Sequence, residues 1–175
     1  PVYAKAASKT PVRTTSPPPV VVLPMIQQIG APNKPVAKVG DTVKMGQLIG
    51  SNDAPVAAPV HSSVSGKVIA VEPRRHMLGD MVMSVVIEND FQDTPCEDMK
   101  PLSEEQLKDP DAIIARIREA GVVGMGGAMF PTAFKIQGAR GKVDTVIING
   151  AECEPYLCGD HRTMLEHPEE LLKGI

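Results

Sequence analysis

The sequence predicts a protein of the α+β class built from several parts. Residues 20–91 carry short apolar runs divided by glycine-containing turns, a spacing typical of a small β sandwich or barrel. Residues 102–175 carry apolar residues at helical spacing, then a glycine-rich loop, a continuous apolar run and further helical segments. This succession predicts the start of an α/β domain. Residues 1–19 are expected to form an extended proline-rich arm, and residues 92–101 a linker.

The composition is that of a folded, soluble protein. Of the 175 residues, 42% are hydrophobic, which is enough for a packed core, and the formal net charge of −3 argues against a nucleic-acid partner. The apolar runs are shorter than the roughly 20 residues that span a bilayer, so we expect any membrane link to come through partners. The 3 cysteines include no Cys-x-x-Cys pair, and the 4 histidines lack metal-ligand spacing. We therefore expect no metal or iron–sulfur site in this chain.

Local signals place the elements in order. Residues 39–49, 57–71 and 82–87 combine apolar positions with neighbouring glycine turns and predict strands. Ser103 and Gln106 can exchange capping hydrogen bonds, and Pro110 suits the first position of a helix. That helix has an apolar stripe at Ile113, Ile114, Ile117 and Ala120. Residues 142–149 predict a strand buried at its Val-Ile-Ile end, and residues 160–166 and 168–173 predict helices.

The glycine-rich loop is the first candidate site. It contains Gly124, Gly126, Gly127, Phe130 and Lys135. Glycine lets a backbone lie close to a ligand, and consecutive N–H groups can cradle an anion. Met129 stands where a third spaced glycine would fall, so the loop is not the dinucleotide fingerprint. The glycines alone favour a tight connection after a helix cap at Gly121, whereas the following Phe-Pro-Thr and Lys135 favour a phosphate cradle.

The second candidate site follows the predicted strand 142–149. Asn149, Glu152 and Glu154 would lie beyond the end of that strand, where α/β sheets place ligands. An asparagine offers both a donor and an acceptor, and the glutamates can accept hydrogen bonds from hydroxyl groups. The spacing leaves a second interpretation equally open, in which these side chains lie in a solvent-facing loop and Glu154 precedes Pro155 in a turn.

The motifs resemble known families. Residues 39–49 and 58–68 are similar to the two recurring pieces of the biotinyl/lipoyl barrel-sandwich hybrid, but residues 50–55 lack the lysine of its carrier members. Residues 124–135 and 146–156 resemble the flavin-binding segments of the NADH-oxidising flavoprotein of respiratory complex I. The similarity is greater to the C-subunit family of Rnf electron-transport complexes, and it runs from about residue 20 onward. A swinging-arm carrier role is therefore not expected.

The resemblance implies the chemistry of the site. The loop glycines would hold the phosphate of FMN, Lys135 would add charge, and Phe130 would pack beside the loop. The segment that contains Asn149, Glu152 and Glu154 would hold the ring, the ribose and the nicotinamide of NAD(H). No side chain is expected to act as general acid or nucleophile, because the flavin performs the redox chemistry. Ala151 and Met125 depart from the complex I pattern, which has an aspartate and a basic residue there, so a carboxylate useful for binding the flavin ribityl chain or the nicotinamide is missing.

The resemblance also implies a biological setting. The chain would be an N-terminal fragment of one component of an ion-translocating ferredoxin:NAD⁺ oxidoreductase, inactive alone, with weak or no FMN retention. Its [4Fe–4S] clusters would lie in the rest of the full-length protein, which would sit on the cytoplasmic face of the membrane with ferredoxin-like and membrane subunits. Ferredoxin would be reached indirectly. Two alternatives stay open: a cobalamin-reducing flavoprotein of the same family, and a non-catalytic docking or adaptor module.

Overall fold

The computed structural model describes residues 5–125 and 127–175. The chain forms two compact units. One unit is Pro17–Lys142, and the other joins the N-terminal segment through Ser16 to Val143–Ile175. None of the helices in the described ranges is long and apolar enough to cross a membrane.

The larger unit contains two antiparallel sheets. Strand β1 is Val20–Pro24, β2 is Lys34–Pro35, β3 is Thr42–Val43, β4 is Leu48–Ser51, β5 is Val60–His61, β6 is Gly66–Arg75 and β7 is Met81–Asn89. One sheet has the order β1-β7-β6-β3, and the other has the order β2-β4-β5. Strands β6 and β7 form a long hairpin, in which Gly66 lies opposite Asn89 and Arg75 opposite Met81.

Side chains from both sheets build one apolar core. Met25, Val43, Ile49, Val68 and Ile87 are almost completely buried and belong to a single cluster. Valine and isoleucine suit this position because their branched side chains pack well on a pleated surface. The predicted β module is thus confirmed.

A short connection follows the β module. The backbone of Met45 accepts a hydrogen bond from Cys96 N at 2.8 Å and donates one to Thr94 O at 2.9 Å. The predicted capping exchange is present, since Ser103 N donates to Gln106 Oε1 and Gln106 N donates to Ser103 Oγ. These bonds support only a three-residue 3-10 turn, Gln106–Lys108, rather than a longer helix.

Two helices complete the larger unit. Helix α1 is Pro110–Glu119 and α2 is Thr132–Ala139. The Asp109 carboxylate accepts a hydrogen bond from Asp111 N at 2.9 Å and caps α1, whose first residue is Pro110 as predicted. Ile114 of the predicted apolar stripe is buried.

The smaller unit differs from the prediction in two places. Helices α3, Gly159–Glu166, and α4, Pro168–Gly174, are confirmed, but Ala6–Lys9 form a 3-10 turn within the arm that was expected to be extended. The predicted strand over residues 142–149 is wrong: no strand forms there, and Val146 and Ile147 are 73% and 86% exposed. The physical reason is that a strand needs a hydrogen-bonding partner, and no strand in the described ranges pairs with this segment.

Candidate functional site

The glycine-rich loop begins where α1 ends. Gly121 has a φ of +67°, which is the left-handed conformation that commonly terminates helices, and its N–H donates to Arg118 O at 3.0 Å. A Cβ at this position would meet the carbonyl oxygen of Pro59 at less than 3.0 Å. The glycine therefore lets the backbone pass directly against the β module, so the interpretation of Gly121 as a helix cap is correct.

Backbone hydrogen bonds close the loop into a narrow hairpin-like turn. Val123 and Pro131 form an antiparallel bridge, and Thr132 N donates to Val122 O at 3.0 Å. Gly124 N donates to Phe130 O at 2.9 Å, so this N–H is used within the loop. The predicted site residue Gly126 lies outside the described residues.

The tip of this turn is open. Gly127 has a φ of +98°, and a Cβ added there would have no neighbour within 4 Å among the residues that the structure describes. Met129 also takes a positive φ of 49°, which is uncommon for a residue with a side chain. The backbone on this side can therefore be approached closely by a ligand.

Helix α2 follows the turn at once; Phe130 lies just before it, and Lys135 lies within it. The rings of Phe130 and Phe134 meet edge to face, with centroids 5.8 Å apart. Lys135 lies in the first turn of α2, its side chain is exposed, and it forms no ion pair within residues 5–125 and 127–175. The first turn of a helix presents unpaired N–H groups and a partial positive charge. An open glycine, a helix start and a lysine together suit a phosphate group.

The second predicted group belongs to the smaller unit. Asn149 Oδ1 accepts a hydrogen bond from Ala151 N at 3.0 Å, which forms a local turn. Glu154 is exposed, and its carboxylate has no hydrogen-bond partner in the described part of the chain. Both residues lie on an exposed loop that follows the apolar segment, as the sequence predicted, although that segment is not a strand.

Glu152 has different surroundings. Its side chain is only 6% exposed. Its Oε2 accepts a hydrogen bond from Lys5 Nζ at 2.9 Å, and its Oε1 accepts one from Asp160 N at 2.9 Å. The hydrogen bond from Lys5 holds the pKa of this carboxyl below its usual value, against the opposing effect of burial.

Three residues outside the predicted set complete this arrangement. They are Lys5, Arg162 and Glu166, and they link the N-terminal segment to the loop at Glu152 and to α3 through side-chain hydrogen bonds. Lys5 lies 147 positions before Glu152 in the sequence. Local patterns carry no signal over that distance, so sequence reasoning could not have found the pair.

Residues 1–92, more than half of the chain, match the family model described as RnfC Barrel sandwich hybrid domain. The chain belongs to the RnfC family. The β module of this RnfC chain is accordingly a barrel-sandwich hybrid, and the predicted family and fold class are confirmed. A second model, described as Nuo51 FMN-binding domain, matches residues 117–175, which include both candidate sites.

Curated relatives carry similar names across several bacteria, each being the C subunit of its complex. The chain is 48% identical over 177 residues to that of the Na(+)-translocating ferredoxin:NAD(+) oxidoreductase complex of Acetobacterium woodii, covering 100% of the chain and 40% of that protein. It is 40% identical to that of the proton-translocating ferredoxin:NAD(+) oxidoreductase complex of Clostridium ljungdahlii, covering 98% of the chain and 38% of that protein. It is 42% identical to the C subunit of the ion-translocating oxidoreductase complex of Rhodobacter capsulatus, covering 96% of the chain and 33% of that protein. The chain thus spans about two fifths or less of these relatives.

Proposed function

We propose that this RnfC chain is part of the C subunit of an ion-translocating ferredoxin:NAD⁺ oxidoreductase, in which it holds FMN and takes part in electron transfer with NAD(H). The observation that carries the proposal is that residues 117–175 match the family model of the FMN-binding domain. These residues include the open turn at Gly127. The names of the relatives agree with this reaction.

The described residues fit the phosphate end of FMN. The backbone at Gly127 and the remaining N–H groups in the first turn of α2 would be the donors, because Thr132 N already donates to Val122 O and Lys135 N to Pro131 O. The Lys135 side chain would supply the positive charge. Gly124 would act indirectly, because its N–H already closes the turn on Phe130 O. The phosphate contact proposed for Gly126 rests on the sequence pattern alone. Phe130 would support the turn through its ring contact with Phe134.

The loop from Asn149 to Glu154 would serve the ring and the nucleotide. The exposed Glu154 carboxylate can accept hydrogen bonds from ribose hydroxyls or from a nicotinamide amide, and the amide of Asn149 can donate to a ring oxygen. The Glu152 side chain is only 6% exposed and each of its oxygens accepts a hydrogen bond, so we assign it to holding the loop rather than to the ligand. Bound flavin supplies the hydride and one-electron chemistry, and the protein binds and orients it.

The rest of the setting follows from the relatives and remains part of the proposal. Residues 20–91 would form the barrel-sandwich module, and residues 102–175 the first part of the flavin domain, after the arm 1–19 and the linker 92–101. The [4Fe–4S] clusters would lie in further sequence of the longer protein. Partners would be the other subunits of the complex on the cytoplasmic side of the membrane, with ferredoxin reached through them.

An FMN titration of the full-length protein, followed by the quenching of flavin fluorescence, tests the proposal. We expect Lys135→Ala to weaken FMN binding about tenfold, because a charge-assisted contact with phosphate is lost. Gly127→Ala should weaken it as well, since a Cβ disfavours the positive φ of the turn. Lys142→Ala, at another exposed lysine, and Gly138→Ala, at an open helical glycine, are the matched controls and should bind FMN normally.

Two results would count against the proposal. A folded full-length protein that binds neither FMN nor NADH would favour the adaptor alternative. Equal FMN affinity in Lys135→Ala and Lys142→Ala would remove the assignment of the phosphate to the start of α2. The cobalamin-reducing alternative predicts FMN binding too, and a ferredoxin-dependent reduction assay of the assembled complex separates it.

A further inference from the structure

The N-terminal segment is tied to the loop and to α3 by hydrogen bonds at three successive places. Lys5 Nζ donates to Glu152, Arg162 Nη1 donates to Ser8 O at 3.0 Å, and Val12 N donates to Glu166 Oε1 at 3.0 Å. The three contacts are spread over residues 5–12, so the whole of this stretch runs along the same surface. The segment is therefore more than a proline-rich connection.

The contacts on the α3 side are connected to one another. Arg162 Nε donates to Glu166 Oε1 at 2.7 Å, and the same carboxylate accepts from Val12 N. The side chains of Arg162 and Glu166 are 18% and 24% exposed, so solvent screens this ion pair only in part. The backbone of the N-terminal segment thus adds to an ion pair that α3 already holds.

Glu152 connects the segment to the candidate site. Cys158, which precedes α3, makes no capping hydrogen bond with its side chain. The Glu152 carboxylate caps the helix instead, although it lies outside α3, because its Oε1 accepts a hydrogen bond from Asp160 N in the first turn of α3. A carboxylate is favoured at a helix N-terminus, and here its second oxygen is neutralised by Lys5.

This arrangement separates the two predicted carboxylates. Glu152 is 6% exposed, and each of its oxygens already accepts a hydrogen bond. Glu154 stands two residues further on, exposed and without a partner in the part of the chain that the structure describes. Neighbouring residues of one loop thus differ in what they can offer: one fixes the loop, and the other can receive a ligand.

We propose that residues 5–12 form a strap that positions the loop 149–158, with Lys5 as its positioning residue through Glu152. Lys5 holds the Glu152 carboxylate, and Glu152 holds the start of α3. The loop 149–158, fixed at Glu152, keeps Asn149 and Glu154 available to the ligand. The ligand part of this inference rests on the proposed flavin and NAD(H) function. The positioning part rests on contacts within the smaller unit alone.

Amide hydrogen exchange of the full-length protein, read by mass spectrometry over residues 149–160, tests the strap. We expect Lys5→Met to accelerate exchange in this segment about tenfold, because a buried carboxylate loses its charged partner. Lys5→Arg should restore slow exchange, since a guanidinium can donate to the same oxygen. Lys9→Met, at an exposed lysine of the same segment, is the control and should exchange as the wild-type protein does.

A comparison of the two glutamates tests the division of roles. Glu152→Gln should accelerate exchange over residues 152–160, whereas Glu154→Gln should leave exchange unchanged and raise the KM for NADH. The strap proposal would be overturned if Lys5→Met exchanged at the wild-type rate over residues 149–160. It would also be overturned if Lys5→Met and Lys9→Met accelerated exchange equally. Unchanged exchange in Glu152→Gln together with weaker NADH binding would show that Glu152 is itself the ligand. If the wild-type protein bound no flavin or NADH, the proposed function and the ligand part of this inference would fail, whereas the strap would stand, because the exchange results do not depend on ligand binding.

Discussion

Replacing Gly121 with alanine should destabilise the larger unit through two separable effects. The first is conformational: Gly121 has a φ of +67°, and a left-handed backbone costs an L-residue about 1–2 kcal/mol. The second is steric, because the new Cβ would meet Pro59 O at less than 3.0 Å, so either α1 or the β module must shift. Overpacking of this kind costs about 1–3 kcal/mol.

Gly141 provides the matched control. Its φ is +69°, nearly the same as that of Gly121, but a Cβ there would have no neighbour within 4 Å in the described part of the chain. Gly141→Ala therefore carries the conformational effect, and the gain from a less flexible unfolded chain, without the steric effect. The difference in the free energy of unfolding between the two variants should be about 1–3 kcal/mol, which is the steric contribution alone.

Urea denaturation followed by far-UV circular dichroism measures this difference. In a chain of this size, 1 kcal/mol corresponds to a shift in Tm of about 2–4 °C, so a thermal melt gives a second reading. Equal losses in Gly121→Ala and Gly141→Ala would refute the reasoning. Such a result would mean that the approach of the loop to Pro59 is loose and that Gly121 serves only to end the helix.

Two further predictions concern the β module. Ile87→Ala should lower the free energy of unfolding by about 2–5 kcal/mol, because Ile87 is 0% exposed in the core. Ile69 is 44% exposed, so Ile69→Ala should lower the free energy of unfolding far less in the same denaturation experiment. The hydrogen bond from Ser65 Oγ, at 2.6 Å, holds the pKa of Asp90 below its usual value, so Ser65→Ala should raise that pKa in an NMR titration. The lowered pKa of Asp90 contributes stability that is present above the usual carboxyl pKa and is lost as the pH falls through the folded-state value. Ser65→Ala should therefore make the free energy of unfolding depend less on pH in this acid range. An unchanged Asp90 titration in this variant would contradict the assignment.

The strand predicted over residues 142–149 shows where sequence patterns stop being sufficient. Val146, Ile147 and Ile148 form a continuous apolar run, which is typical of a strand covered on both faces. The pattern specifies a preference for burial but does not supply the neighbour that would bury it. In the structure the segment is exposed and unpaired with any described strand, because a ladder needs a second chain segment at hydrogen-bonding distance.

The turn at Ser103 shows a similar limit on a smaller scale. The residue types correctly predicted the exchange of hydrogen bonds with Gln106, since both partners lie three positions apart. Whether a helix continues from such a cap depends on the residues that follow it. Here Asp109 adopts an extended conformation and caps α1 instead, so the first helical signal ends as a 3-10 turn.

The resemblance of the motifs in this chain to known families predicted the family, and residue patterns predicted the β module, the start of α1 and the glycine-rich loop with Lys135 after it. These structural features depend on residue types at short spacing, which is what local conformational preferences control. The folded chain was needed to show that Gly121 meets Pro59, that Glu152 is held by Lys5, and that Glu154 is left exposed. The first two of these contacts join distant parts of the chain, up to 147 residues apart, and no local preference specifies which distant groups will meet when the chain packs.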